Sequence, residues 1–334
     1  MFAIANELVA RSGAHVRILH VPTPEAHVSN VDSVPWFEFD ASIEHVFATN
    51  LDPAVMPGAD VIVFTPMLVA VALADAAPYG DQLVNWLDDR HGSLGLPVLF
   101  VQGLSVFPAE VEDAAIRMQG PKVCVGSWLT DELLRHGVAR DQVHHIPNGV
   151  DHRMFRVTEP IRSRTTQVAM NFDPHPCKGG AAGMNALAAL HQVTGTSSIA
   201  FGTRSPEQGP SAGTTFVLSP DQTRLARDIY NSSSVYLQPS VREGFGMCAV
   251  EAMACGCALV TTDNGGSSDY ALDGETALVC DNDEQAMCDA MERLVRDDDL
   301  RTQIATNGVA FVRRFRWSVS ADRFESLAFE HLRT

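Results

Sequence analysis

The sequence predicts an α/β protein built from two doubly wound parallel sheets. The chain has 334 residues, more than one ordinary compact domain holds, and at about 150 residues per domain two are expected. Short β-rich runs alternate with longer helical patterns, the mark of a parallel sheet with helices on its faces. That alternation stops at a polar, turn-rich stretch and then restarts.

His15 to Val21, Val61 to Thr65, Pro97 to Gln102, Lys122 to Gly126 and Val143 to Pro147 read as buried strands, and Ser127 and Trp128 open the helix after Gly126. Asn148-Gly149-Val150-Asp151 follows, where Asn and Gly both tolerate positive φ and so mark a turn. A polar stretch from Pro160 to Thr166 ends the first set. The second set comprises Gln167 to Met170, Ser198 to Phe201, Thr215 to Leu218, Val235 to Gln238, Ala258 to Thr262 and Ala277 to Cys280. Met287 to Arg296 and Leu300 to Phe311 are amphipathic, and Asp297-Asp298-Asp299 between them reads as a solvated turn and an acidic helix start. A last helix runs from about Val319 to Leu332. The expected domains are therefore residues 1–158 and 159–318, with residues 319–334 packing back toward the first. Two such sheets would face each other across a cleft lined by the carboxyl ends of their strands, where ligands bind.

Composition narrows the function. With 46% hydrophobic and 19% charged residues the chain is globular. A formal net charge of -17 repels nucleic acid and anionic lipid, so an anionic ligand must be held by a few local donors. The seven cysteines lack short paired spacings and read as reduced thiols. No basic leader precedes a long apolar stretch, and no window reaches a membrane span, so a cytoplasmic protein is expected.

The densest signal runs from Val235 through Glu243-Gly-Phe-Gly246 and Glu251 to Cys255-Gly256, and reads as strand, glycine loop, helix and Gly cap. Gly244 and Gly246 let a diphosphate approach the backbone. The N–H groups near Gly246 and Met247 form an anion site that needs no net positive charge. Glu243 and Glu251 suit vicinal hydroxyls, Glu243 on a sugar and Glu251 on a ribose diol. Each also has a purely structural reading, as a helix N-terminal charge and as a solvent-facing helical residue. A second element, Met170 to Gly180, carries Lys178-Gly179 between a strand and the helix from Ala181 to Leu190.

The complete pattern, with Ala258 to Tyr270 and its Gly265-Gly266 turn, resembles family 4 of the GT-B glycosyltransferases, whose E-x7-E signature marks the donor site. The resemblance covers the C-terminal half and reaches back to Ile146-Pro-Asn-Gly-Val-Asp151. It implies the GT-B fold and retaining transfer from a nucleotide-diphosphate sugar to a hydroxyl acceptor, which is a glycan, a lipid-linked molecule or a small molecule. Glu243 and Lys178 would be catalytic, with Gly244, Phe245, Gly246, Met247, Glu251, Gly179 and Gly202 on the donor side. Lys178 resembles the family's pyrophosphate-contacting lysine, and its charge would stabilise the leaving diphosphate. Gln102 and Asn148 would lie on the acceptor side. No cofactor and no metal are expected, since Asp88-Asp89 lacks a strand-end Asp-x-Asp arrangement and neither His175 with Cys177 nor His144-His145 completes a ligand set.

The chain departs from the family in three places. Phe172-Asp173 stands where many relatives carry an Arg, Gln102 stands where many carry a His, and Met1 to His15 resembles the family's first helix and its exit, so the first strand and glycine loop are expected either to lie upstream of a misassigned start or to have been lost. These departures keep open a non-catalytic nucleotide-sugar-binding subunit of a transferase complex. A GT-B-fold nucleotide-sugar epimerase is a further alternative, although no acid and base set for it is visible. A dinucleotide oxidoreductase is disfavoured, because no G-x-G-x-x-G follows an early strand. The other expected associations are peripheral membrane contact and a partner subunit or oligomer, without nucleic acid.

Overall fold

The structure, a computed structural model, describes residues 1–20, 38–47, 59–64, 95–104, 109–165 and 167–332. Val21, Thr65, Asp88-Asp89 and Thr166 lie outside the described residues. The chain forms two compact units, Met1–Gly149 with Trp317–Thr334 and Val150–Arg316.

In the first unit, β1 (Arg17–His20) pairs in parallel with β2 (Glu44–Phe47), a strand the sequence pattern does not mark. β3 (Val61–Phe64), β4 (Leu96–Val101), β5 (Lys122–Cys124) and β6 (Val143–His145) form a parallel sheet in that order. All of β4 after Leu96 is buried, as expected of a strand covered on both faces. Helices α1 (Phe2–Ser12), α2 (Ala109–Arg117) and α3 (Ser127–Arg135) belong to this unit. The C-terminal helix Trp317–Leu332 packs on α1, where Arg11 donates to the Ser318 carbonyl at 2.7 Å and pairs with Asp322 at 2.5 Å.

The second unit is a six-stranded, all-parallel sheet of β7 (Gln167–Asn171), β8 (Ser197–Gly202), β9 (Thr214–Leu218), β10 (Val235–Gln238), β11 (Ala258–Thr262) and β12 (Ala277–Cys280). Its spatial order is β12-β11-β10-β7-β8-β9. The chain thus starts in the middle, winds outward to β9, returns to the other side of β7 as β10 and winds outward again. The direction of winding reverses between β7 and β10, and ligands of such sheets bind at that reversal, outside the strand carboxyl ends.

The sheet is covered by α4 (Gly180–Thr194), α5 (Met247–Ala254), α6 (Glu284–Arg296) and α7 (Asp298–Val312). A short helical turn, Gln222–Arg224, widens into a π-helical turn at Leu225–Tyr230. In α6, Met287, Cys288, Met291 and Leu294 fall on one face and are buried with Val168, Met170, Leu187, Val235, Leu237 and Val260 of the core. The Asp283 carboxylate caps α6 by accepting from Ala286 N–H, and Asp297 caps α7 by accepting from Leu300 N–H, both at 2.9 Å. These caps begin both helices earlier than their apolar periodicity suggests.

The division between units falls at Val150, ahead of the expected boundary at residue 158. Val150 N–H donates to the Phe315 carbonyl at 3.1 Å, and the Asn231 side chain bonds the backbone at Arg156, Thr158 and Glu159. Residues 150–159 are therefore held by the second unit from Val150 onward. No helix among the described residues is long and apolar enough to cross a membrane.

Candidate active site at the turn of the sheet

The loops leaving β7 and β10 meet at the reversal of the second sheet. After β7, the Asp173 carboxylate accepts from His175 N–H at 2.8 Å, and Pro176–Lys178 makes one tight turn. Gly179 then adopts φ 62° to enter α4, and a Cβ there would lie 2.0 Å from the Pro239 carbonyl oxygen, so only glycine lets the two loops approach this closely. From the other loop, Val241 and Arg242 N–H groups donate to the Cys177 carbonyl at 2.8 and 3.1 Å.

This lacing brings Lys178 Nζ to 2.8 Å from Glu243 Oε2. The lysine side chain is 35% exposed and the glutamate 10%. Burial by itself would lower the Lys178 pKa. The charge and hydrogen bond of Glu243, joined by the Cys177 and Cys248 thiols, outweigh it and hold the ammonium above its ordinary value.

The other carboxylate oxygen of Glu243 is held as firmly. Oε1 accepts from Ser240 Oγ at 2.8 Å and from Gln238 Nε2 at 3.0 Å. The Glu243 backbone is fixed too, since its N–H donates to the Asn264 carbonyl at 2.9 Å. Three donors and a backbone anchor leave this carboxylate one orientation.

Beyond Glu243 the chain turns into α5. Gly246 adopts φ 89°, and a Cβ there would lie 2.3 Å from the Tyr270 hydroxyl oxygen. Ala249 and Val250 N–H donate to the Gly246 carbonyl at 3.1 and 3.3 Å, so the N–H groups of Met247 and Cys248 stand ahead of the intrahelical ladder at the positive end of the α5 dipole. Phe245 is 2% exposed, and its ring packs edge-on to Tyr270 and Phe315, so it anchors the loop from within. Glu251 lies in α5 with Oε2 at 3.5 Å from the Tyr230 hydroxyl, and burial pushes its pKa up to about 8 against that hydrogen bond.

The remaining expected residues are distributed as follows. Gly202 ends β8, where a Cβ would lie 2.2 Å from the Phe172 carbonyl oxygen. Gln102, exposed just beyond β4, and Asn148, whose Oδ1 is buried, belong to the first unit. His175 Nδ1 lies 2.9 Å from Cys177 Sγ. Among the described residues, no three His, Cys, Asp or Glu side chains gather as metal ligands. Sequence reasoning missed Gln238, Ser240, Tyr270 and Tyr230. The Gln-Pro-Ser step at the end of a strand is the one local signal for the first two.

Comparison with known proteins identifies the fold. The sucrose-phosphate synthase of Thermosynechococcus elongatus superposes with a TM-score of 0.70 over 97% of this chain and 91% of that one, at 19% identity. Anabaena HepE, solved in complex with UDP and glucose, gives 0.66 over 85% of each chain at 15% identity. The fold is GT-B. Within it, residues 205–310 match the model of the glycosyl transferases group 1 family, a segment that includes Glu243 and Glu251 and begins after Lys178. A D-inositol 3-phosphate glycosyltransferase of Corynebacterium diphtheriae is 35% identical over 100 residues, which are 30% of this chain and 23% of that protein. The chain thus matches less than a quarter of that relative's length.

Proposed function

We propose that this GT-B chain is a retaining glycosyltransferase that moves a sugar from a nucleotide-diphosphate sugar to a hydroxyl acceptor without a metal ion. The observation that carries the reading is the Lys178–Glu243 pair, placed beside the open N-terminus of α5 at the reversal of the sheet. The diphosphate would lie against the N–H groups at Met247 and the Lys178 ammonium, the sugar hydroxyls against Glu243 and the ribose diol against Glu251.

As the bond between the anomeric carbon and the phosphate oxygen breaks, negative charge grows on the diphosphate. Lys178 and the α5 dipole stabilise that charge more than they stabilise the intact donor, which is what lowers a barrier. The acceptor oxygen bonds the anomeric carbon on the face the phosphate leaves, and the acceptor proton passes to the departing phosphate oxygen. The products are a nucleoside diphosphate and a glycoside of unchanged anomeric configuration. The match to group 1 glycosyl transferases over residues 205–310 supports the reaction class. HepE's complex with UDP and glucose makes UDP-glucose the first donor to assay.

The deciding experiment is transfer from a panel of nucleotide sugars to glycan, lipid-linked and small-molecule acceptors by wild type and Glu243→Ala. The variant should keep its fold and lose transfer, and NMR should show the product with the anomeric configuration of the donor. A folded Glu243→Ala protein with undiminished transfer, or an inverted product, refutes this mechanism.

A further inference from the structure

Gln238 ends β10 with 5% of its surface exposed, beside Ser240 at 1%. Its amide Nε2 reaches both Ser240 Oγ at 2.7 Å and Glu243 Oε1 at 3.0 Å, while the Ser240 hydroxyl donates to the same carboxylate oxygen at 2.8 Å. Ser240 is itself held, because its carbonyl accepts from the Thr262 hydroxyl. The other end of the amide is idle: Gln238 Oε1 is buried and has no hydrogen-bond partner among the described residues. An amide buried at the cost of an unpaired acceptor is a poor choice for packing, since an apolar side chain of that length would fill the space without it. What the amide supplies is a donor at the Glu243 carboxylate.

We propose that Gln238 is a positioning residue that, with Ser240, fixes the Glu243 carboxylate for its ligand independently of Lys178. The inference deepens the functional reading and rests on it for its kinetic part. A glutamate carboxylate rotates easily about its last bond, so its plane is set by its donors. Lys178 is one of them here, yet a bound diphosphate competes for the same ammonium. Once the lysine turns toward phosphate, Gln238 and Ser240 are the donors left on Oε1. The carboxylate then keeps its orientation at the moment it is needed.

The test has one arm that requires no ligand. Crystal structures are determined of Lys178→Met and of Lys178→Met/Gln238→Met/Ser240→Ala, after cooperative thermal unfolding has shown both to be folded. Glu243 should keep its orientation in the single variant and rotate away in the triple. An unmoved Glu243 in the triple variant overturns the proposal, as does a Glu243 that already rotates when Lys178 alone is replaced. The second arm measures UDP affinity by calorimetry and steady-state transfer from the panel of nucleotide sugars, for wild type, Gln238→Met and Ser240→Ala. The expected result is UDP affinity within about twofold of wild type and kcat lower by roughly tenfold to a hundredfold, the size of effect a misplaced catalytic group produces. Equal losses in UDP affinity and turnover would mark Gln238 as merely structural. If wild type transfers from no nucleotide sugar, the functional reading fails while the crystal structures still decide the role of Gln238.

Discussion

Replacing Glu251 by Gln should change how stability depends on pH, and the size of the change follows from where the carboxyl sits. Burial raises its pKa from 4.5 to about 8, and the one opposing contribution is the Tyr230 hydroxyl 3.5 Å away. In the unfolded chain the group returns to its ordinary value. Between the two values the folded protein holds a proton that the unfolded chain has lost, so stability falls as pH rises across that window and levels off above pH 8. One group contributes a slope of about 1.4 kcal/mol per pH unit, or roughly 4 kcal/mol over three units. The Glu251→Gln substitution removes that slope, because an amide does not titrate. Urea unfolding of wild type and variant at half-unit steps from pH 5 to 9 gives the difference directly, with all other titrations cancelling. Parallel curves, differing by a constant, refute a raised pKa at Glu251. In the proposed function the same group would link stability to ligand binding: a carboxylate that accepts two ribose hydroxyls favours its ionised form, so, if Glu251 holds the ribose, UDP binding near pH 7 should release up to about one proton. Calorimetry in two buffers of different ionisation enthalpy measures that release, which Glu251→Gln should abolish.

Lys178→Ala should lower turnover more than UDP affinity, because its attraction grows with the charge on the leaving group, and Lys178→Arg should rescue only in part. Unchanged turnover with weaker binding would make Lys178 a uniform binding group. Transfer should survive exhaustive EDTA treatment if, as proposed, Lys178 and the α5 N-terminus meet the diphosphate charge. Loss of activity restored by Mg²⁺ or Mn²⁺ would overturn this. Gly246→Ala should destabilise the fold by about 1–3 kcal/mol, because a Cβ at φ 89° would lie 2.3 Å from the Tyr270 oxygen. A Tm unchanged from wild type would mean that the loop opens there without strain.

The parts of this protein that were legible in the sequence are those fixed by local chemistry. Runs such as Val98-Leu99-Phe100-Val101 announce strands because a parallel strand covered on both faces must be apolar throughout. β2, Glu-His-Val-Phe, lacks that continuity and was invisible. The glycine loop before α5 and the two glutamates are equally local, and so is the lysine ahead of Gly179. What the sequence withheld is their mutual placement. Lys178 and Glu243 are 65 residues apart, and nothing near either says that they touch. Their contact follows from sheet order: the chain must cross from β9 back to the far side of β7, which sets the exits of β7 and β10 side by side. Gln238 was missed for the same reason. Read along the chain it is the last residue of a buried strand, and only the return of the backbone through Ser240 to Glu243 turns its amide into a donor for the carboxylate. The pairing is thus a property of the winding, and any residue whose work is to orient another across such a turn leaves its signal in the topology.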